Sequence, residues 1–296
     1  MNIMTTIRNV LVASDFSEQA QVAIHRAALI CQEHGAKLKL LHVIEALPSP
    51  EPIPPDQLNE ETRQQLQAES GVAVSLGVDC DCQVETGKNI VTIIQSAQKM
   101  MADLIVVGAH GHHSLRDNFL GTTAEKLVRK ASSPVLVVKQ LSQSAYRRVL
   151  VPTDFSEASR QALAAASILA PGAGIDLLHV YGFWGEEQLS MAHASEEVLE
   201  RYRQRTEIWA NMSIVKWRQG INLSGHHVEE HLRKGSATSG IALFAAERRT
   251  DLVVMGTVER SGHPNVLLDS VTENALRTVP CDILAVKSGE SKSDER

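Results

Sequence analysis

The sequence has no apolar run approaching the ~20 residues that a bilayer-spanning helix requires, so no membrane span is expected. Residues Met1 to Val10 lack the apolar core and small-residue cleavage pattern of a secretory signal. Cysteine is sparse. Cys31, Cys80, Cys82 and Cys281 form neither a CxxC motif nor a disulfide framework, which suits a reducing compartment. Basic residues gather into no stripe, and a net charge of −6 with a pI near 6.1 makes nucleic acid a poor expected partner. These absences point to a cytoplasmic chain with no membrane or nucleic-acid partner. What remains is a globular profile, 43% hydrophobic and 22% charged over 296 residues, enough for two ordinary domains or one large one.

The two halves resemble each other. Arg8 to Ser17 reads RNVLVASDFS and Arg147 to Ser156 reads RRVLVPTDFS, so Asp15 corresponds to Asp154. Leu41-His42-Val43 recurs as Leu178-His179-Val180, and ADLIVVG ending at Gly108 recurs as TDLVVMG ending at Gly256. Glu125 pairs with Glu273 and Lys139 with Lys287. A register kept over a whole domain length is a duplication.

Short β-branched runs alternate with helical patterns. In the first copy strands are expected near Val10–Ala13, Leu38–Val43, Cys80–Val84, Leu104–Val107 and Val135–Val138. Helices are expected near Ser17–His34, Asp56–Leu76, Asn89–Met101 and Thr122–Ala131. The first, fourth and fifth runs barely alternate, as parallel strands covered on both faces do. The expected fold is therefore α/β, with two tandem doubly wound five-stranded parallel sheets. Domains are expected at 1–144 and 145–288, with Gln140–Ala145 as a polar linker and 289–296 (GESKSDER) as a disordered tail.

Ligands of such sheets bind beyond the carboxyl ends of the strands, where strand order reverses. Asp15 follows the first strand. After the fourth come Gly108-Ala109-His110-Gly111, nine residues, and Gly121-Thr122 at the start of a helix. Glycines permit positive φ and close approach of backbone amides to an anion, and a helix N-terminus favours phosphate.

Gly108, Gly111, Gly121 and Thr122 match G-x2-G-x9-G-[ST] without a gap, and here the chain resembles the universal stress protein family. The likeness covers both copies, so it is similar to the tandem, E-type bacterial members. The resemblance implies a Rossmann-like, adenine nucleotide alpha hydrolase-type fold with strand order 3-2-1-4-5. It implies that Asp15, led by Ala13 and Ser14, and Val43 hold adenine. Gly108, His110, Gly111 and Gly121 would then hold ribose and phosphates, beside Val107, Thr122 and Thr123. ATP or another adenine nucleotide is the implied ligand, with Mg2+ as an optional companion. The fifth strands, Val135–Val138 and Ile283–Val286, would pair the copies as a pseudo-dimer, leaving room for a further homodimer and for protein partners the sequence does not name.

The second copy departs from the pattern. Glu259 stands where Gly111 stood, Asp269 replaces Gly121 and Ser270 replaces Thr122. Each carboxylate adds roughly 1–4 kcal/mol of repulsion per neighbouring unit charge at a surface-like dielectric, so little triphosphate binding is expected there. Asp269 is expected to satisfy the helix N-terminus in place of an anion. Asp154, Val180 and Gly256 mark the equivalent crevice, whose occupant stays open between a neutral ligand, a divalent cation and none.

Other readings compete. Thr122 with Glu125, and Ser270 with Glu273, match a capping box. Asp15 and Asp154 suit the ordering of a strand-to-helix turn. His110, His112 and His113, with Asp117 nearby, raise metal binding against plain exposed loop residues, and the latter is favoured. His227, Glu229 and His231 would share one strand face, either as a metal set or as the polar face of an edge strand; the edge strand is favoured and no metal site is expected. Trp184, Trp209 and Trp217 all fall in the second copy, on or near a long helical segment over Glu186–Gln219, where core packing or contact with the other copy is favoured over a second apolar ligand. No Walker lysine, dedicated base or arginine finger is evident, so no catalytic residue is expected. Slow ATP hydrolysis or self-phosphorylation, and a nucleotide-independent scaffold, stay open beside a binding and regulatory role in stress response.

Overall fold

The computed structural model of the chain describes residues 6–45, 55–111, 120–182, 195–258 and 269–288. The first half runs β1 (Asn9–Ala13), α1 (Glu18–His34), β2 (Lys37–Ile44), α2 (Pro55–Ser75), β3 (Cys80–Thr86), α3 (Asn89–Lys99), β4 (Leu104–Gly108), α4 (Thr122–Lys130) and β5 (Val135–Val138). The second runs β6 (Arg148–Pro152), α5 (Glu157–Leu169), β7 (Gly174–Tyr181), α6 (Glu196–Trp217), β8 (Val228–Lys234), α7 (Ala237–Glu247), β9 (Leu252–Val258), α8 (Ser270–Thr278) and β10 (Asp282–Ser288). The tail from Gly289 lies outside the described residues.

Local chemistry explains the element ends. Ser17 accepts a hydrogen bond from the Ala20 amide and starts α1, while Gly35, at φ 63°, ends it in the left-handed region. Ser156 caps α5 in the same manner, accepting from the Ser159 amide. Val10, Leu11 and Val12 of β1 are wholly buried, because helices cover both faces of the strand.

Within each half the strands pair in parallel, with β1 between β2 and β4 and β6 between β7 and β9. Each half thus has the order 3-2-1-4-5, and its strand order reverses beside β1 or β6. The halves do not form separate sheets. β5 and β10 pair antiparallel, Ile283 against Val137 and Ala285 against Val135, so one ten-stranded sheet runs through the chain. The core is continuous across the seam on both faces. One face joins Val10, Leu38 and Leu136 to Val149 and Leu284; the other joins Leu11 and Val137 to Leu150 and Ile283.

The linker is not a free polar tether. Its course is fixed by Asp282, which is 1% exposed at the start of β10. Asp282 Oδ1 accepts from the Lys139 amide at 2.8 Å and the Gln140 amide at 3.3 Å. Its Oδ2 accepts from Arg26 Nε of α1 at 3.2 Å and from the Tyr146 hydroxyl at 2.7 Å. The Arg26 guanidinium also lies 4.1 Å from the Tyr146 ring centroid and donates to the Ser144 carbonyl at 2.8 Å. A buried charge needs a partner of this kind, and here the partners come from both halves and the segment between them.

Lys139 leaves the seam with its ammonium donating to the Val279 carbonyl at 2.6 Å. Burial brings its pKa down to about 8, with Cys281 and Asp282 acting the other way. The folded value lies below the unfolded one near 10.4, so a cost is fully present below pH 8 and is relieved as pH rises towards 10.4. Burial also holds the Cys31, Cys80 and Cys281 thiols up, to about 12, and these act oppositely at high pH. Comparison with Lys139→Met separates the two effects. Between pH 7 and 9 in urea unfolding, the wild type should gain roughly 1.4 kcal/mol of stability relative to the variant. Parallel pH profiles would contradict the assignment.

Candidate functional site

Beyond β1 the chain turns sharply through Ser14, Asp15 and Phe16. Phe16 adopts φ 64°, a conformation a bulky residue takes only when its surroundings hold it. They do so here. Asp15 Oδ1 accepts from the Ser17 amide at 3.1 Å and the Ser17 hydroxyl at 2.5 Å. Ser14 Oγ accepts from the Phe16 amide at 3.1 Å and donates to Glu69 of α2 at 2.7 Å. His42 Nδ1 donates to the Ser14 carbonyl at 2.8 Å, and its ring stacks on Phe16 with centroids 4.3 Å apart. Burial raises the Glu69 carboxyl above its usual value, with the Ser14 and Gln21 hydrogen bonds opposing. Ser14 therefore directs its hydroxyl into this turn, Ala13 and Val43 are half-buried at the strand ends, and Val107 is buried in β4.

The second half repeats the turn. Phe155 has φ 67°, Asp154 Oδ1 accepts from the Ser156 amide at 3.0 Å, and His179 Nδ1 donates to the Thr153 carbonyl at 2.7 Å. Phe155 and His179 pack with centroids 4.2 Å apart, their rings tilted by 31°. Both aspartates thus order their turns. The paired histidines were the missed members of the site, although the recurrence of Leu-His-Val in both copies was their signal.

The loop glycines serve sterics rather than unusual dihedrals. Of the two freedoms that glycine offers, close approach is the one used, and none of Gly108, Gly111 and Gly121 has positive φ. A methyl at Gly108 would stand 2.8 Å from the Gln19 carbonyl oxygen, at Gly111 2.5 Å from Asp15 Oδ2, and at Gly121 3.1 Å from the Ala109 carbonyl oxygen. Asp15 and the glycine loop are therefore in contact across the crevice. The Gly121 amide donates to Ala109 at 2.7 Å, closing the loop on itself. His110 is half-buried, and its Nδ1 is shut from solvent with no hydrogen-bond partner among the described residues. His112, His113 and Asp117 lie outside the described residues. Gly256 is tighter still, since a methyl there would run into the backbone of Ala158.

The capping boxes are corrected. Gly121, not Thr122, is the N-cap of α4, and among the described residues no side chain bonds the exposed amides of that turn. Thr122 is exposed and Thr123 half-buried in the first helical turn. Glu125 reaches forward to Arg129 at 2.6 Å instead of back to the cap. In α8 the cap is Asp269, not Ser270. Its Oδ1 accepts from the Thr272 amide and its Oδ2 from the Thr272 hydroxyl, both at 2.8 Å. One helix start is open to an anion; the other already holds a carboxylate. Glu259 lies outside the described residues.

At the carboxyl ends of β6, β7 and β9 a cavity of about 650 Å³ opens, and Asp154, Val180, Gly256 and Asp269 all line it.

Elsewhere, β8 is an edge strand with a polar face. His231 Nε2 lies 2.7 Å from Asp176 Oδ1 and 3.6 Å from Glu229, whereas His227, just before the strand, lies 3.1 Å from Glu229. Asp176 of β7, unseen in the sequence motif, completes the group in place of His227. Arg248 pairs with both carboxylates, 3.0 Å from Asp176 and 2.7 Å from Glu229. Cys80 and Cys82 are strand residues of β3 with free thiols. Trp217 packs into the core, donating to the Ser156 carbonyl at 3.1 Å. Trp209 is 58% exposed and meets Phe155 of its own half edge-on, so it neither fills the core nor bridges the halves. Trp184 lies outside the described residues. Among the described residues no helix is long and apolar enough to cross a membrane.

An open parallel sheet in duplicate, each copy with its crevice beside the reversal of strand order, defines a tandem pair of Rossmann-like α/β domains. The chain belongs to the Universal stress protein family, whose profile matches residues 6–139 and 145–287. It is similar to a universal stress protein of Mycolicibacterium smegmatis, 28% identical over 94% of this chain and 96% of the relative. It is similar also to the universal stress protein E homolog of Haemophilus influenzae, 24% identical over 97% of this chain and 99% of that protein. A crystal structure of a universal stress protein from Archaeoglobus fulgidus superposes with a TM-score of 0.68 at 18% identity, covering 95% of this chain and 98% of its own.

Proposed function

We propose that the first unit, residues 1–144, binds an adenine nucleotide, ATP foremost and with Mg2+ beside the phosphates, while the second unit, 145–288, binds none. The carrying observation is the contrast between the N-terminus of α4, which no side chain caps among the described residues, and the carboxylate-capped one of α8. The α4 amides and helix dipole offer a phosphate site, and Asp15, adjoining Gly111, offers an acceptor for a base amino group. Ala13 and Val43 supply the apolar rim, and His110 a ring nitrogen at the loop. Occupancy biases a surface used by protein partners during stress in the cytoplasm, on a platform held rigid by the β5–β10 seam. Among the described residues none is held as a base against the helix start, which supports binding over turnover.

Titration of the purified chain with labelled ATP tests this. One saturable site per chain is expected. No saturable binding, or two equivalent sites, would sink the proposal.

A further inference from the structure

We propose that the cavity of the second half binds a small organic cation, an amine carried on an apolar body, in place of a phosphorylated ligand. The proposal holds whether or not the first half takes ATP. The cavity, about 650 Å³, lies in the range of small-molecule sites. Two carboxylates line it, Asp154 at the end of β6 and Asp269 at the start of α8, and no lysine or arginine does so among the described residues. Between them the walls are largely apolar, built by Leu178, Val180, Ile241 and Met255.

Each carboxylate is anchored. Asp154 Oδ1 accepts from the Ser156 amide at 3.0 Å and from Ser159 Oγ at 3.1 Å. Both Asp269 oxygens accept from Thr272, as described above. A carboxylate has about four acceptor positions, so these bonds fix its orientation and leave capacity for a ligand. Burial pushes the Asp154 carboxyl up, yet the hydrogen bonds from Ser156 and Ser159 outweigh it and hold the pKa below its usual value. Asp154 is therefore charged at neutral pH. A cleft with charge of one sign and low-dielectric walls concentrates the opposite charge and repels its own. The apolar walls favour an organic body over a bare metal ion, which would need several more oxygen ligands than these two anchored side chains supply.

Three probes of one shape and different charge test this: tryptamine, indole-3-acetamide and indole-3-acetate. Calorimetry on the full wild-type chain, whose first half lacks the counterpart of Asp269, should show one tryptamine per chain. The neutral amide should bind at least about tenfold more weakly, and the anion should not bind detectably. Amide resonances of Ser156, Ser159 and Thr272 should shift on adding tryptamine, while those around Asp176 and Glu229 stay still. Asp154→Asn with Asp269→Asn keeps the turn and cap, since asparagine caps as well as aspartate, and should reduce the cation preference to within about threefold. The proposal is overturned if the anion binds as tightly as the cation, if the double variant keeps the preference, if the shifts fall at the edge network, or if no probe binds. ATP titration of the wild type stays a separate readout, so the two proposals fail separately.

Discussion

Gly121→Asp is expected to raise the dissociation constant for ATP by at least about tenfold while leaving the fold intact. The new carboxylate would take the place in α4 that Asp269 holds in α8, accepting the first-turn amides that are otherwise open. Repulsion of roughly 1–4 kcal/mol per phosphate charge, with 1.4 kcal/mol to each tenfold in affinity, sets the size of the loss. Stability should hardly move. Aspartate is a better N-cap than glycine by a few tenths of a kcal/mol, and the added Cβ approaches the Ala109 carbonyl at a tight but tolerable 3.1 Å. Gly121→Ala adds the same Cβ without charge or capping oxygen, and should weaken ATP less. The reciprocal Asp269→Gly should uncap α8 without conferring ATP binding, because Glu259 still replaces the middle glycine. Equal ATP affinity in the wild type and Gly121→Asp, measured by calorimetry beside matched urea midpoints, would remove α4 from the site.

That experiment turns on a difference the sequence showed, Asp269 in place of Gly121, and the capping role expected of Asp269 is the one observed. Strands were legible because buried parallel strands are continuous apolar runs, and the expected bounds of β1, β4 and β5 differ from the observed ones by a residue at most. The helix starts were less so. Thr122-x-x-Glu125 satisfies the capping-box pattern, but the same residues serve as the first turn once Gly121 takes the cap and Glu125 finds Arg129. The glycines were recognisable as a set, whereas their reason was not: the crowding atoms belong to Gln19, Asp15 and Ala109, two of them distant in sequence. His42 and His179 were visible as a repeat, yet their pairing with a phenylalanine in left-handed backbone needs three dimensions. Asp176 hid in a strand that otherwise reads as apolar, and only the register of β7 beside β8 brings it to His231. Comparing the two copies finds what they share. It passes over what occurs once.

The seam is the main thing that occurs once, and Asp282→Ala is expected to destabilise the chain by about 3–5 kcal/mol, the usual cost of stranding one member of a buried ion pair. Arg26 would keep its charge, with a side chain 4% exposed, and its Nε would lose the carboxylate. The Tyr146 hydroxyl and the Lys139 and Gln140 amides would lose their acceptor at the same time. Burial, then the Asp282 charge, hold the Tyr146 hydroxyl well above its ordinary pKa, so it stays a proton donor to this carboxylate throughout the neutral range. Tyr146→Phe removes one charged hydrogen bond and should cost about 1–3 kcal/mol. Against a total of 5–15 kcal/mol for an ordinary domain, the alanine variant approaches the limit of stable folding. Because the lost contacts join α1, the linker and β10, they tie the β5–β10 pairing to the packing of both halves. Urea unfolding should therefore change from a single transition to two, with the halves separating first, and amide exchange should accelerate at Leu136, Val137 and Ile283. A single transition with an unchanged midpoint would mean that the strand pairing and the continuous apolar core hold the halves together without the buried charges.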